Sequence, residues 1–511
     1  MEEYSKVNAS EYAQMPLGER TLNTELSSDL TLPDYQPEIK RLLKISAVAL
    51  PPSKYLGDSQ AEFSGSIDYY VYYTGSDNEI YCAPLGGEYK IEIPSAQSMD
   101  WSLSNLTGGI DIQPDMISGR VISPRKLNVK CRLRCGARLF GDVATAQSGD
   151  SDGQNEMLCG VETATRTLFA ASDMIKLSDE MIIDNRDGEV RVISALGKAL
   201  IGEVGCADGA VSVRGDVYLK MLMAREGGGE PYTAVRKLPF AQSIALDGAT
   251  ARCQACARAT VCEMSLDVEE NRIIIDVGML IDATVLKNER VRYVKDVYST
   301  LYKTECRYKP MRLLSNAAAI NSNFTLSDSV SLSDAGISAE CSVIDCTGVT
   351  LLEGVDFDDN GRMTAMGRAR FTLLLNRGGE YVCSDVELPF KYSADVGKRA
   401  GDATNSLCAS VISSRARIDG ERVGIDAEIS INGHVADITE VQTLEEVSFG
   451  EELTRDRGEI VICYPSASDS LWSVAKRYGT TVASIQKKNR IADDRPFDSK
   501  LALDGVSYLI V

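Results

Sequence analysis

One histidine, His434, stands in a chain of 511 residues. Chemistry that needs imidazole as a general base must use this side chain, and a metal centre built on several histidines is excluded within one chain. His434 ends the alternating stretch Ile429-Ser-Ile-Asn-Gly-His-Val435, beside a glycine, which reads as a surface or satisfied structural position. The fourteen cysteines are scattered. Cys253-x-x-Cys256 has redox or metal-like spacing, but no second CxxC pair completes a four-cysteine zinc site. Cys131 and Cys135 share one parity of an alternating strand, where a thiol acts as a small hydrophobe, so reduced core thiols are expected. Gly227-Gly-Gly-Glu230 has neither Walker nor dinucleotide spacing around it, and no GxSxG motif occurs. Paired carboxylates for glycoside hydrolysis could be drawn from 74 acidic residues, but no motif singles out a pair. The expectation is a non-enzymatic protein with no catalytic residues, no metal and no cofactor.

Charge narrows the partners. Asp and Glu outnumber Lys and Arg by 74 to 54, a formal charge of -20, which repels phosphate backbones and anionic lipid. Nucleic acid is therefore not an expected partner, and neither is a membrane. Apolar runs are cut by charge, as in Ile273-Ile-Ile-Asp-Val-Gly-Met-Leu-Ile-Asp282, well short of a spanning helix. Met1-Glu-Glu-Tyr-Ser-Lys6 lacks a basic and an apolar region, which predicts no secretory signal.

The elements that would position any site come in repeats. Leu26-Ser-Ser-Asp-Leu-Thr-Leu-Pro-Asp34 returns as Leu177-Ser-Asp-Glu-Met-Ile-Ile-Asp-Asn185 and as Leu326-Ser-Asp-Ser-Val-Ser-Leu-Ser-Asp334. Each copy is followed by an alternating run: Ile67, Tyr69, Val71, Tyr73; then Val217, Leu219, Met221, Met223; then Ala369, Phe371, Leu373, Leu375. Next come the glycine-glutamate segments Gly86-Gly-Glu88, Gly227-Gly-Gly-Glu230 and Gly378-Gly-Glu380, read as hairpin turns. Apolar-Pro pairs follow at Ile93-Pro94, Leu238-Pro239 and Leu388-Pro389. A longer alternating strand closes each copy, from Leu127 to Cys135, Ile273 to Ile281 and Val423 to Ile431. Three ordered copies predict three related domains of about 150 residues.

Period-two alternation gives each strand one buried and one wet face, the habit of antiparallel sheets. The fold class expected is mainly β: three tandem antiparallel sandwich-like or open-barrel repeats, with helical turns such as Glu38 to Leu43. The boundaries drawn are a tail over 1–21, repeats over 22–160, 161–310 and 311–445, and a separate module over 446–511. That module follows an acidic joint, Glu440 to Glu452. Glu459-Ile-Val-Ile-Cys-Tyr464 reads as a strand. Asp469 or Ser470 reads as the cap of a helix through Leu471, Trp472, Val474 and Ala475 that stops at Gly479. Thr480 or Thr481 starts a second helix ending near Asn489, and Ser507 to Val511 closes the βααβ unit. Trp472 fits either the core or an exposed anchor.

Two resemblances follow from these residues. Leu32-Pro-Asp-Tyr-Gln-Pro-Glu-Ile-Lys-Arg41 and Ser123-Pro-Arg-Lys-Leu-Asn-Val-Lys130 resemble hallmark segments of the SPOCS domain of spore coat assembly proteins from endospore-forming Firmicutes. Ser468-Asp-Ser-Leu-Trp-Ser-Val-Ala-Lys-Arg-Tyr-Gly-Thr-Thr481, with Ile485 and Asn489, resembles a LysM domain. The LysM likeness implies a binding groove between two loops, placed here at Ser468, Asp469, Ser470 and Leu471 and at Asn489, Arg490 and Ile491, with Trp472 beside it. Ser468 stands where the family has a loop glycine, and Tyr464-Pro465 makes the approach bulkier. SPOCS repeats plus a LysM domain resemble spore coat morphogenetic proteins of the SipL type. That likeness implies a scaffold in the mother-cell cytoplasm, at the forespore surface and in the spore coat. Its LysM domain would bind a SpoIVA-like coat-basement ATPase, with other coat proteins as further partners. The alternative is a peptidoglycan- or chitin-type glycan-binding protein of the cell wall or cortex.

Overall fold

The computed structural model describes residues 12–57, 60–94, 103–145, 154–183, 189–225, 229–269, 271–399, 401–453, 460–466, 468–492, 498, 503 and 506–511. Strand pairing closes on itself in three successive sections, each of two antiparallel sheets. The first holds β1 (Tyr12–Thr31), β2 (Arg41–Ala49), β3 (Ser53–Leu56), β4 (Gln60–Thr74), β5 (Ile80–Pro94), β6 (Ser104–Ser123) and β7 (Lys126–Ala144). The second holds β8 (Asn155–Ala171), β9 (Ile175–Ile182), β10 (Val190–Ala207), β11 (Ala210–Arg225), β12 (Tyr232–Ala245), β13 (Gln254–Glu269) and β14 (Arg272–Ser299). The third holds β15 (Tyr302–Ser331), β16 (Cys341–Phe357), β17 (Arg362–Arg377), β18 (Glu380–Asp395), β19 (Asp402–Asn405), β20 (Cys408–Asp419) and β21 (Arg422–Glu452). In each, a meander centred on β4, β11 or β17 faces a sheet centred on β7, β14 or β21. The alternating residues of these central strands fill the core between the two layers.

Register shows that the copies are equivalent. Leu26 lies opposite Cys131, Leu177 opposite Val277, and Leu326 opposite Ala427. A bulge interrupts the meander at Leu43, Ile193 and Ile344, each time beside the last residue of the alternating run, Tyr73, Met223 or Leu375. Gly65 lies opposite Tyr89, Gly215 opposite Phe240, and Gly367 opposite Phe390. At Gly215 a Cβ would strike both the Phe240 ring and the carbonyl of Leu200, so the ring takes the space that the glycine leaves.

Several expectations fail for identifiable reasons. Gly86-Gly87 is no turn but lies inside β5, opposite Asp68 and Ile67; a Cβ on Gly87 would come 3.0 Å from the Tyr69 ring. The counterpart of Leu238-Pro239-Phe240 is consequently Gly87-Glu88-Tyr89, not the segment at Ile93-Pro94. Glu38 to Leu43 is not helical, because Ile39 and Lys40 donate their N–H groups to Pro124 and Thr74 and β2 begins at Arg41. Residues 12–21, read as tail, pair with β7. Residues 155–160 pair with the end of β14, and 302–310 with the end of β21, so the sections begin before 160 and 310. The acidic joint is the end of β21. Lys303, Arg307 and Arg312 of β15 face Glu451, Glu446 and Glu440 across the ladder, which offsets the repulsion along the strand.

The three sections share an approximate threefold axis. Tyr72, Leu222 and Leu374 occupy equivalent places in β4, β11 and β17, and all three meet in one buried cluster with the bulge residues Leu43, Ile193 and Ile344. Beside it Asp345 accepts Lys44 Nζ at 2.9 Å and Lys220 Nζ at 3.0 Å, one lysine from each of the other sections. Burial alone would raise the Asp345 carboxyl, but the two ammonium groups outweigh it and hold the carboxyl far below the usual range. A second shared cluster joins Met15, Val143, Ala164, Tyr293, Met311 and Val441.

His434 is buried, with Nδ1 2.7 Å from Ser406 Oγ. Burial first, and then the positive charge of Arg138, push its imidazole down to about 3, so the ring is neutral. The fourteen cysteines are free thiols. Cys256 is buried in β13, where its thiol, pushed up to about 12, points to the carbonyl of Thr284; Cys253 instead meets Thr250 Oγ1 at 3.4 Å. No helix among the described residues is long and apolar enough to cross a membrane.

Candidate functional site

The C-terminal module is β22 (Ile462–Cys463), α1 (Leu471–Arg477), α2 (Val482–Asn489) and β23 (Leu509–Ile510), with β22 and β23 antiparallel. Both helices are short and rely on their caps. Ser470 caps α1: its hydroxyl accepts the N–H of Ser473, whose own hydroxyl accepts the N–H of Ser470. Thr481 caps α2 by accepting the N–H of Ser484. Leu471, Val474, Ala475, Ile485 and Leu509 form the core beneath.

Asp469 ties the start of α1 to Ser466 and Arg477. Its buried carboxylate accepts the N–H of Ser466 at 2.9 Å and Arg477 Nη2 at 2.5 Å, and these bonds, the backbone one first, hold it below its ordinary value. Ser468 is exposed at the turn, while Ser470 and Leu471 are buried. In the second loop the Asn489 side chain is used internally. Its Nδ2 donates to the carbonyls of Ile485 and Ile510, each at 2.8 Å, and its Oδ1 accepts the N–H of Ile510 at 2.8 Å, tying α2 to β23. Arg490 is exposed in the left-handed conformation with φ 56°, and Ile491 is half-buried against the module core. No hydrogen bond or ion pair joins the two loops among the described residues. Of the eight residues named from the sequence, Ser468 and Arg490 are thus the ones fully open to a partner.

Trp472 lies on the other side, and its environment was not legible in the sequence. Its indole is 5% exposed, donates Nε1–H to Asp296 Oδ2 at 2.9 Å, and meets Tyr298 edge-on at 4.8 Å between ring centroids. Lys476, one turn on, reaches both Asp296 oxygens at 2.6 and 2.8 Å. Tyr298 donates its hydroxyl to the carbonyl of Thr480 at 2.8 Å, and Tyr308 donates to Asp296 at 2.7 Å. Burial pulls the Asp296 carboxyl up, but the hydrogen bonds from Lys476, Trp472 and Tyr308 outweigh it and hold the group below its ordinary value. The face of α1 that carries Trp472 is therefore seated on β14. Nothing marks Asp296 in the sequence: it lies far from Trp472 along the chain and in no motif.

Residues 467–497 match the family model of the LysM domain. No curated protein and no solved structure matches the chain. A LysM domain points to binding, of wall-type glycan or of protein. The LysM module also exposes an aromatic and aliphatic strip on its strand pair, with Tyr464 76%, Tyr508 55% and Ile462 51% exposed. Tyr464 adjoins the Ser466–Ser470 loop, so the open side combines polar loop ends with apolar rings, a composition suited to a protein hot spot.

Proposed function

We propose that this chain is a non-enzymatic assembly scaffold of the SipL type, with three SPOCS repeats as its body and the LysM module as its recognition element. The partner is a SpoIVA-like coat-basement ATPase at the forespore surface, in the mother-cell cytoplasm and later in the spore coat. The observation that carries the reading is the orientation of the LysM module. Its Trp472 face is occupied by Asp296 and Tyr298 of the body, while Ser468, Arg490 and Tyr464 stand outward. A docked module presents its loops in a fixed direction, as a scaffold requires, and a pre-ordered loop pays less entropy on binding. The two SPOCS-like segments also come together: Arg125 donates to the carbonyls of Pro33 and Gln36, and Tyr73 donates to the carbonyl of Pro37. Their likeness is thus a likeness of one packed corner, not of two unrelated stretches.

The rival reading is a glycan-binding protein of wall or cortex, for which the LysM match itself is the support. Co-sedimentation of the full chain with purified peptidoglycan, beside a binding titration with a purified SpoIVA-like ATPase, separates the two. Saturable binding to the ATPase, with no retention on glycan, is expected. Retention on glycan without any protein partner would contradict the scaffold.

A further inference from the structure

Farther along the threefold axis lie two adjoining cavities of about 260 and 110 Å³, walled by all three repeats and sharing Arg258 and Asn432. The charged groups that line them are Lys54, Arg138, Lys198 and Arg258 against only Asp111 and Asp282. Arg138 Nη2 and Arg258 Nη1 divide a single carboxylate, at 2.5 and 3.1 Å from the oxygens of Asp111. Lys54 is placed 5.7 Å over the Phe169 ring and 3.3 Å from the carbonyl of Gly108. Lys198 has no hydrogen-bond or ion-pair partner among the described residues. Burial depresses it, and Arg258 across the cavity depresses it further. In the same walls, Arg138 Nε and Asn432 Oδ1 are buried without partners.

Such an arrangement is costly unless something answers it, since like charges gathered in one cavity repel and a half-buried cation without a partner lacks part of its hydration. The fold does not demand these cations, as the repeats themselves show. The place of Lys198, opposite Tyr218, is taken by Val48 opposite Asp68 in the first repeat and by Val349 opposite Arg370 in the third. The place of Arg258, opposite Asp282, is taken by Asp111 opposite Gly136 and by Cys408 opposite Asn432. Two cations have been put on the axis where sister copies carry valine, aspartate or cysteine. Hydroxyl groups of Thr260 and Ser410 in the walls add neutral donors.

We propose that the axial cavity is a binding site for a small doubly charged oxyanion, phosphate or a short dicarboxylate, held between Lys198 and Arg258. Such a ligand supplies the negative charge that the walls lack and sits where all three repeats meet, so binding adds to the stability of the body.

Thermal unfolding and calorimetric titration of the full chain test this with sodium phosphate, sodium malonate and sodium chloride at matched ionic strength. Phosphate or malonate is expected to raise the midpoint saturably, chloride is not, and whichever acts identifies the ligand type. Lys198→Val, which copies the sister repeats, is expected to fold with a ligand-free midpoint at or above wild type and to lose at least tenfold in anion affinity. Lys198→Gln serves as a second variant with the same expected loss. No saturable response of the wild type to either anion overturns the proposal, and so does an unchanged response in both variants.

Discussion

At the threefold axis Asp345 collects Lys44 and Lys220, with Lys44 and Asp345 each only 4% exposed; at the joint with the LysM module Asp296 collects Lys476, Trp472 and Tyr308, with 18% of its side chain still in solvent. Both carboxylates gather donors from segments remote in sequence. Their depth separates them. Asp345 is sealed within a cluster to which all three repeats contribute, so its partners cannot part without breaching the body. Asp296 sits at the edge of the body, where Tyr298 and Leu158 pack into the LysM core, so only one end of β14 and β8 is engaged and its partners can part with less of the body disturbed. The same chemistry thus makes an integral bond in one place and a separable one in the other.

The largest expected effect tests the integral side. Asp345→Asn leaves the buried ammonium of Lys44 and the half-buried one of Lys220 without a counter-charge, which should cost about 3–5 kcal/mol of body stability, read as the denaturant midpoint multiplied by an unchanged slope. The same carboxylate gives a pH signature. Its folded value lies below the unfolded one, so its contribution is complete above about pH 4 and is lost as acid protonates the group. Asp345→Asn should therefore narrow its deficit relative to wild type in strong acid.

The separable side should respond less. Asp296→Asn removes the charge that Lys476 and Trp472 share, at a cost of about 1–3 kcal/mol to docking. The body's own unfolding midpoint should stay within error. In a Trp101→Phe background the emission of Trp472 reports the joint directly, and a red shift without loss of helical signal is the expected result. A body midpoint that falls together with the shift would merge the two classes of contact.

A smaller effect is expected at His434, inside the body. Its folded value, about 3, lies below the unfolded one of about 6.5, so the unfolded chain takes up the extra proton between them and stability falls as pH drops through that window. His434→Gln should flatten the slope between pH 6.5 and 5 by up to about 1.4 kcal/mol per pH unit. Smallest is the helix cap: Ser470→Ala should cost the LysM module about 1 kcal/mol and leave the body unchanged.

The repeats were legible in the sequence because each central strand keeps strict alternation in its buried face, as Leu127 to Cys135, Ile273 to Ile281 and Val423 to Ile431 do. The LysM helices were legible for a similar local reason, caps at Ser470 and Thr481 and apolar spacing through Leu471, Val474 and Ala475. What failed was context. Gly86-Gly87 has the composition of a turn, but inside the strand Gly87 leaves space that the Tyr69 ring takes. The acidic run at the end of β21 reads as a solvated joint until the basic residues of β15 are set opposite it. The axis escaped notice because its equivalent positions no longer share a residue type: Asp111, Arg258 and Cys408 match in register only. At the candidate site, the loop positions were legible, but not that Asn489 is bound to Ile510 or that Trp472 is covered by Asp296.

The most direct test measures the affinity of the full chain for a SpoIVA-like ATPase in two variants side by side: Ser468→Lys with Arg490→Glu on the open loops, and Asp296→Asn at the joint. The loop pair avoids the buried cap at Ser470 and the internal bonds of Asn489, so the fold should stand. The account predicts at least a tenfold loss, about 1.4 kcal/mol, for the loop variant and little change for Asp296→Asn. Normal binding by the loop variant, with tighter binding once Asp296→Asn frees the Trp472 face, would contradict it and make that covered face the true interface.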